Sequence, residues 1–253
     1  GSRETESLPM LERIDQALYR AKSEGRDQVR MAAHTPLPWN STLLRKALTE
    51  NRIRQASQAI VDLQSGQVVA DEALARIESA EGEIIEAKDF VDMAEGLGLM
   101  AEVDRQVIRT VMQRCVTRME QGGSPDFAHF VNVSPQFLAR RDLVEEMLEN
   151  AMLFCQSCGV TLGPVKPVVL ELTERQRIVS LDQLRADLQP FIDYGFRLAL
   201  DDFGSGYSSY LYLAHLPVSF LKIEGWLVSH MRQDRKVAGR ADARRGGKEC
   251  RSR

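Results

Sequence analysis

Val168-Val-Leu-Glu-Leu-Thr173 sets one glutamate, Glu171, inside an otherwise apolar run. Short and apolar on both faces, the run reads as a strand buried on both sides, as in parallel sheets covered by helices. An ionised carboxylate there costs several kcal/mol unless a counter-charge or a metal neutralises it. The combination recurs on either side. His129-Phe-Val-Asn-Val-Ser134 carries Asn132, Arg197-Leu-Ala-Leu-Asp-Asp202 ends on two acids, and Ser219-Phe-Leu-Lys-Ile-Glu224 carries Lys222. Helical patterns over 136–158 and 181–194 separate these runs. Strands alternating with helices predict an α/β fold with a parallel sheet. A closed barrel and an open doubly wound sheet both fit this alternation.

Upstream, a strand-like segment from 53 closes on Ala59-Ile-Val-Asp-Leu63, and Gln64-Ser-Gly66 supplies a tight turn. Val68-Val-Ala-Asp-Glu-Ala-Leu74 opens a second strand over 67–76, so the two should pair antiparallel as a hairpin. Helical patterning is expected over 88–121, with Phe90, Met93, Ala94 and Leu97, then Val103, Val107 and Val111. The hairpin and the four later runs give six strands in all. Asn40 or Ser41 caps a helix running to about Asn51. His34-Thr-Pro-Leu-Pro-Trp-Asn40 breaks all periodicity and reads as a linker. Before it, Leu11, Ile14, Ala17, Leu18 and Ala21 recur at helical spacing and Gly25 provides a stop.

Composition excludes several classes. The net charge of −3 over 253 residues argues against a basic nucleic-acid surface. No stretch reaches the roughly 18 uninterrupted apolar residues of a membrane span, and no signal peptide opens the chain, so no membrane contact and a cytoplasmic setting are expected. Cys155-Gln-Ser-Cys158 has the spacing of a redox or metal pair, but no second pair follows and the segment carries a helical pattern. These are expected to be plain thiols in a reducing compartment.

The polar residues of the strands carry the chemistry. Glu72 lies near the end of the second strand, followed along the chain by Asn132, Glu171, Asp201, Asp202 and Lys222. A barrel keeps its active site at the C-terminal ends of its strands. Carboxylates and an amide, without histidine or cysteine, suit a hard cation such as Mg²⁺ or Mn²⁺. Adjacent acids such as Asp201-Asp202 can serve two ions, a common arrangement for phosphodiester hydrolysis. Lys222 would add positive charge beside the water or a phosphate oxygen. Taken singly, each has a structural explanation: an Asp-Asp pair before a Gly-rich turn is usually a cap, and a strand-end lysine is usually solvated. The series is what points to a site.

Those residues also resemble a known family. Asp71-Glu-Ala-Leu-Ala-Arg76 is similar to the motif that names the EAL domains. Asn132-Val-Ser-Pro, Glu171-Leu-Thr-Glu174, Asp201-Asp-Phe-Gly-Ser-Gly-Tyr-Ser-Ser209 and Lys222-Ile-Glu224 follow in the family's order. The resemblance implies a TIM-like (β/α)8 barrel whose first strand runs antiparallel, and hydrolysis of the bacterial second messenger cyclic di-GMP to linear pGpG with Mg²⁺ or Mn²⁺. It implies Glu72, Asn132, Glu171 and Asp201 as metal ligands, with Asp202 serving a second ion and Lys222 acting on the water. Glu174 would hold the Asp-Phe-Gly-Ser-Gly loop, which the family couples to homodimer formation. Gln58, Leu74, Arg76, Asp201, Ser205 and Gly206 would contact the dinucleotide. Asp15-Gln-Ala-Leu-Tyr-Arg-Ala-Lys22 resembles the closing helix of a GGDEF domain.

The domain reading is therefore a GGDEF-type tail helix over 1–32, a linker over 33–40, an EAL domain over 41–239 and a disordered or non-native tail over 240–253. On this reading sensory and GGDEF domains would lie upstream. Three departures bear on activity. Ala59 stands where the family commonly has proline, and Glu224 stands where it has aspartate. The family's last two strand–helix units have no counterpart before the tail. The alternative to hydrolysis is a degenerate EAL module that binds cyclic di-GMP or mediates dimerisation.

Overall fold

The computed structural model describes residues 40–157, 165–173, 180–203, 209–225 and 228. The expected GGDEF-type helix, the linker before Asn40, Cys158, Glu174, Ser205, Gly206, Cys250 and the 240–253 tail lie outside the described residues. Asn40 caps α1 (Ser41–Thr49), its Oδ1 accepting the Leu43 N–H at 3.0 Å. The helix buries Leu44, Ala47 and Leu48. β1 (Ile53–Val61) and β2 (Val68–Glu78) form the expected antiparallel hairpin, with Gln58 opposite Glu72. Gly66 turns the hairpin with φ +70°, a conformation that favours glycine, and Asp62 Oδ1 accepts the Ser65 N–H at 2.7 Å.

One sequence expectation, the count of six strands, fails here for a local reason. β3 (Ile84–Glu86) is a seventh strand, pairing antiparallel with the end of β2. Three residues with an outward Ile84 leave too little pattern to read. The helical patterning over 88–121 is realised as a 3-10 turn (Ala87–Asp89), α2 (Val91–Gly96) and α3 (Met100–Glu120). Gly98 makes the break with φ +68°, while the Leu99 N–H donates to the Ala94 carbonyl at 2.8 Å. That is a glycine helix stop inside an unbroken apolar periodicity.

The rest alternates as expected: β4 (Ala128–Asn132), α4 (Pro135–Leu138), α5 (Arg141–Ser157), β5 (Val168–Thr173), α6 (Leu181–Tyr194), β6 (Arg197–Phe203), α7 (Ser209–His215) and β7 (Val218–Ile223). The segment expected as one helix over 136–158 is thus two, and α7 adds a short helix. The sheet order is β1-β2-β4-β5-β6-β7, parallel from β2 onward.

Strand alternation sorts the side chains into two layers. Val131, Leu170, Leu172, Leu198 and Leu200 point to the helices and pack with Val107, Val111, Phe137, Leu188 and Phe191. On the other face Ala70, Ala128, Phe130, Val169 and Ala199 gather with Ile60 and Phe220 in a second, smaller cluster. That second cluster decides between barrel and open sheet. Phe130 on β4 meets Phe220 on β7 edge-on with ring centroids 5.0 Å apart. Lys222 on β7 reaches Glu72 on β2 at 3.0 Å. In a flat sheet, β2 and β7 would stand four steps of about 4.8 Å apart, or roughly 19 Å. The sheet therefore curls as a TIM-like barrel does, and its concave face is a barrel interior with an antiparallel first strand. Among the described residues, β1 and β7 remain its two edges.

Candidate active site

One step along each strand from the apolar inner cluster, the interior becomes charged. Glu72 follows Ala70 on β2, Asn132 follows Phe130 on β4, Glu171 follows Val169 on β5, Asp201 follows Ala199 on β6, and Lys222 follows Phe220 on β7, each by two positions. Period-two alternation puts all of them on the concave face. Registers align them: Asn132 pairs with Glu171, and Ala199, two before Asp201, also pairs with Glu171. Glu72 is in the middle of β2, because that strand continues to Glu78.

Carboxylate oxygens of Glu72, Glu171 and Asp201 lie within 4.8 Å of one another. Lys222 Nζ donates to Glu171 Oε2 at 3.0 Å and to Asp201 Oδ2 at 3.2 Å, and it lies 3.0 Å from Glu72 Oε1. Glu171 has no exposure, and its second oxygen, Oε1, is buried without a hydrogen-bond partner among the described residues. Burial pushes the Glu171 carboxyl well above the usual carboxylate range; Lys222 opposes this, and Glu72 and Asp201 add to it. Burial works against the Lys222 ammonium, but Glu171, Glu72 and Asp201 outweigh it and hold the amine above its usual range. Glu171 is thus drawn toward its neutral form and Lys222 toward its charged one. One ammonium does not balance three carboxylates at this spacing, so the cluster retains surplus negative charge. The orphaned Glu171 oxygen and the all-oxygen donor set fit a hard divalent cation.

Asp201 and Asp202 sit in a bulge. Leu200 pairs with Leu221 but Phe203 with Ile223, so β6 holds one residue more than β7 over this stretch. Asp202 has φ +52°, and its N–H donates to Asp201 Oδ1 at 2.8 Å. The bulge separates the two acids, and Asp202 is not part of the three-carboxylate group.

The other expected residues are distributed around this cluster. Gln58 is exposed on β1, opposite Glu72. Leu74 and Asn132 line an open cleft with Thr173, Ser134, Glu95 and Asp104. Arg76 is ion-paired with Glu86 of β3 at 2.8 Å. Cys115 and Cys155 form no disulfide among the described residues, and the Tyr194 hydroxyl donates to Cys155 Sγ at 3.5 Å.

Sequence reasoning missed Asp104. It lies on α3, 4% exposed, accepting the Ser134 N–H at 2.8 Å. Burial pushes its carboxyl up to about 7, against the pull of Ser134 and with some help from Glu95. The signal was present: Asp104 interrupts the apolar face formed by Met100, Val103 and Val107.

Comparison with known proteins agrees with this geometry. The chain is 30% identical over 231 residues to the cyclic di-GMP phosphodiesterase PdeR of Escherichia coli, matching 87% of this chain and 33% of that protein. An uncharacterized Mycobacterium tuberculosis protein is 29% identical over 88% of this chain and 36% of its own length. The chain thus spans about a third of the length of these relatives. The cyclic di-GMP complex of the Pseudomonas aeruginosa MucR phosphodiesterase superposes with a TM-score of 0.65 at 28% identity, covering 79% of this chain and 78% of that one. The EAL domain family profile matches residues 42–243. That match takes in every described strand and all the converging acids, and the chain belongs to the EAL domain family.

Proposed function

We propose that this domain hydrolyses cyclic di-GMP to linear pGpG with a metal-activated water. The observation that carries the reading is the convergence of Glu72, Glu171 and Asp201 on Lys222 at the concave face of the sheet. Relatives named as cyclic di-GMP phosphodiesterases, from E. coli and Shewanella oneidensis, support the substrate class. Glu72, Asn132, Glu171 and Asp201 would hold a Mg²⁺ or Mn²⁺ ion, and Asp202 would serve a second one. When bound, such ions acidify a water and neutralise charge at the phosphorus.

The chain's own residues do the rest. The carboxylates fix the donor set, and the buried floor of Phe130, Val169 and Ala199 keeps bulk water from beneath it. Lys222 donates to the nucleophilic water or to a phosphate oxygen as charge develops. Gln58, Leu74, Arg76, Ser205 and Gly206 would contact the dinucleotide, and Glu174 would brace the loop after β6. We extend the reading to a cytoplasmic homodimer fed by upstream GGDEF and sensory domains. Among the described residues no helix is long and apolar enough to cross a membrane.

Glu224, where the family has aspartate, favours a second reading in which the domain binds cyclic di-GMP without cleaving it. A chromatographic assay for pGpG with Mn²⁺, run beside calorimetric binding of cyclic di-GMP, separates the two. Linear product from the wild type, abolished in Glu171→Gln, supports hydrolysis; binding without product would sink it.

A further inference from the structure

We propose that Lys222 is a positioning residue for the metal ligands: its ammonium holds Glu72, Glu171 and Asp201 converged, and a loading divalent cation must displace it. The inference rests on the metal-site reading above. An ammonium offers three donors, and here three carboxylates from three strands meet it at 3.0, 3.0 and 3.2 Å. A Mg²⁺ or Mn²⁺ ion needs oxygens at about 2.1 Å, and each of the three carboxylates that would supply them already gives one oxygen to the ammonium. A divalent ion and an ammonium sharing them would also repel each other strongly across a partly buried site. The two cations therefore compete for one set of ligands.

Lys222 and the ion are also alternative answers to the same problem. Glu171 is fully buried, and removing the charge that faces it leaves a carboxylate uncompensated. Without the ammonium, the ion-free protein loses its means of keeping the three acidic side chains together, and the ion loses its competitor. A lysine acting only on water or substrate would change turnover and leave ion affinity alone.

The test titrates Mn²⁺ into metal-stripped wild type, Lys222→Met and Lys222→Arg by calorimetry, with thermal melts in EDTA and in Mn²⁺. The expected result is an Mn²⁺ dissociation constant at least about tenfold lower in Lys222→Met, equivalent to about 1.4 kcal/mol. Lys222→Arg, which keeps the charge, should stay within about threefold of wild type. In EDTA, Lys222→Met should melt below wild type, and Mn²⁺ should close most of that gap. Reductive methylation of wild type, read by mass spectrometry, gives a check free of any folding defect: Lys222 should be protected in EDTA and modified once Mn²⁺ is bound. Unchanged or weaker Mn²⁺ binding by Lys222→Met, or equal Lys222 modification in both conditions, would overturn the inference. Failure of the wild type itself to bind Mn²⁺ would instead overturn the metal-site reading on which it stands.

Discussion

The buried acid on α3 makes the stability of this domain depend on pH in a direction opposite to that of most carboxylates. Asp104 is 4% exposed, and burial lifts its pKa from 3.8 to about 7. The folded state therefore holds a proton there that the unfolded chain has already released. Stability from this group is complete below pH 3.8 and is lost as pH rises through 7. Between pH 5 and pH 8 the loss comes to roughly 2.5 kcal/mol, at about 1.4 kcal/mol per pH unit over the span in which only the folded state is protonated. Other groups titrate in the same window, so the informative quantity is a difference. Asp104→Asn keeps an oxygen for the Ser134 N–H, 2.8 Å away, but it cannot ionise. Urea denaturation followed by far-UV circular dichroism at pH 5, 6, 7 and 8 should show the variant gaining on wild type by about that amount across the series. Parallel profiles for the two proteins would refute the argument, because they would mean the carboxyl ionises as readily folded as unfolded.

Three further outcomes are expected. His129→Ala removes the imidazole whose Nδ1 lies 2.7 Å from Asp71 Oδ1, both side chains being almost fully buried; with only the half-exposed Arg114 left to face Asp71, urea denaturation should show a loss of about 3 kcal/mol. Gly98→Ala meets no atom within 4 Å but must adopt φ +68°, so a loss of about 1 kcal/mol without change in Mn²⁺ affinity is expected from melting and calorimetry. Phe130→Ala takes one ring from the pair under the acidic cluster, and should cost roughly 3 kcal/mol in denaturation and weaken Mn²⁺ binding as the floor of the site loosens.

What could be read from the residues was whatever carried a high cost. Glu171 in an apolar strand, with Glu72, Asn132, Asp201 and Lys222 at like positions in neighbouring runs, is hard to reconcile with packing alone, and the structure brings the three acids and the lysine together. The hairpin was legible because Gly66 and a change of period mark it. The features that escaped were those without a compositional mark of their own. β3 is too short to show alternation, and Gly98 ends a helix inside an apolar rhythm that continues across it. The bulge at Asp201-Asp202 is a matter of register between β6 and β7, which only pairing reveals. Curvature of the sheet was equally invisible, since barrel and open sheet share one alternation of strands and helices.

That curvature has a kinetic side. Glu72 enters the site from β2 and Lys222 from β7, and nothing local holds them together. Each intervening strand must dock before the two can meet, so their contact carries nearly the whole loop-closure entropy of the described chain. The acidic cluster should be among the last parts of the domain to form and among the first to come apart. An ion bound there would act as a clasp on the curl, tightening the fold at its point of latest closure.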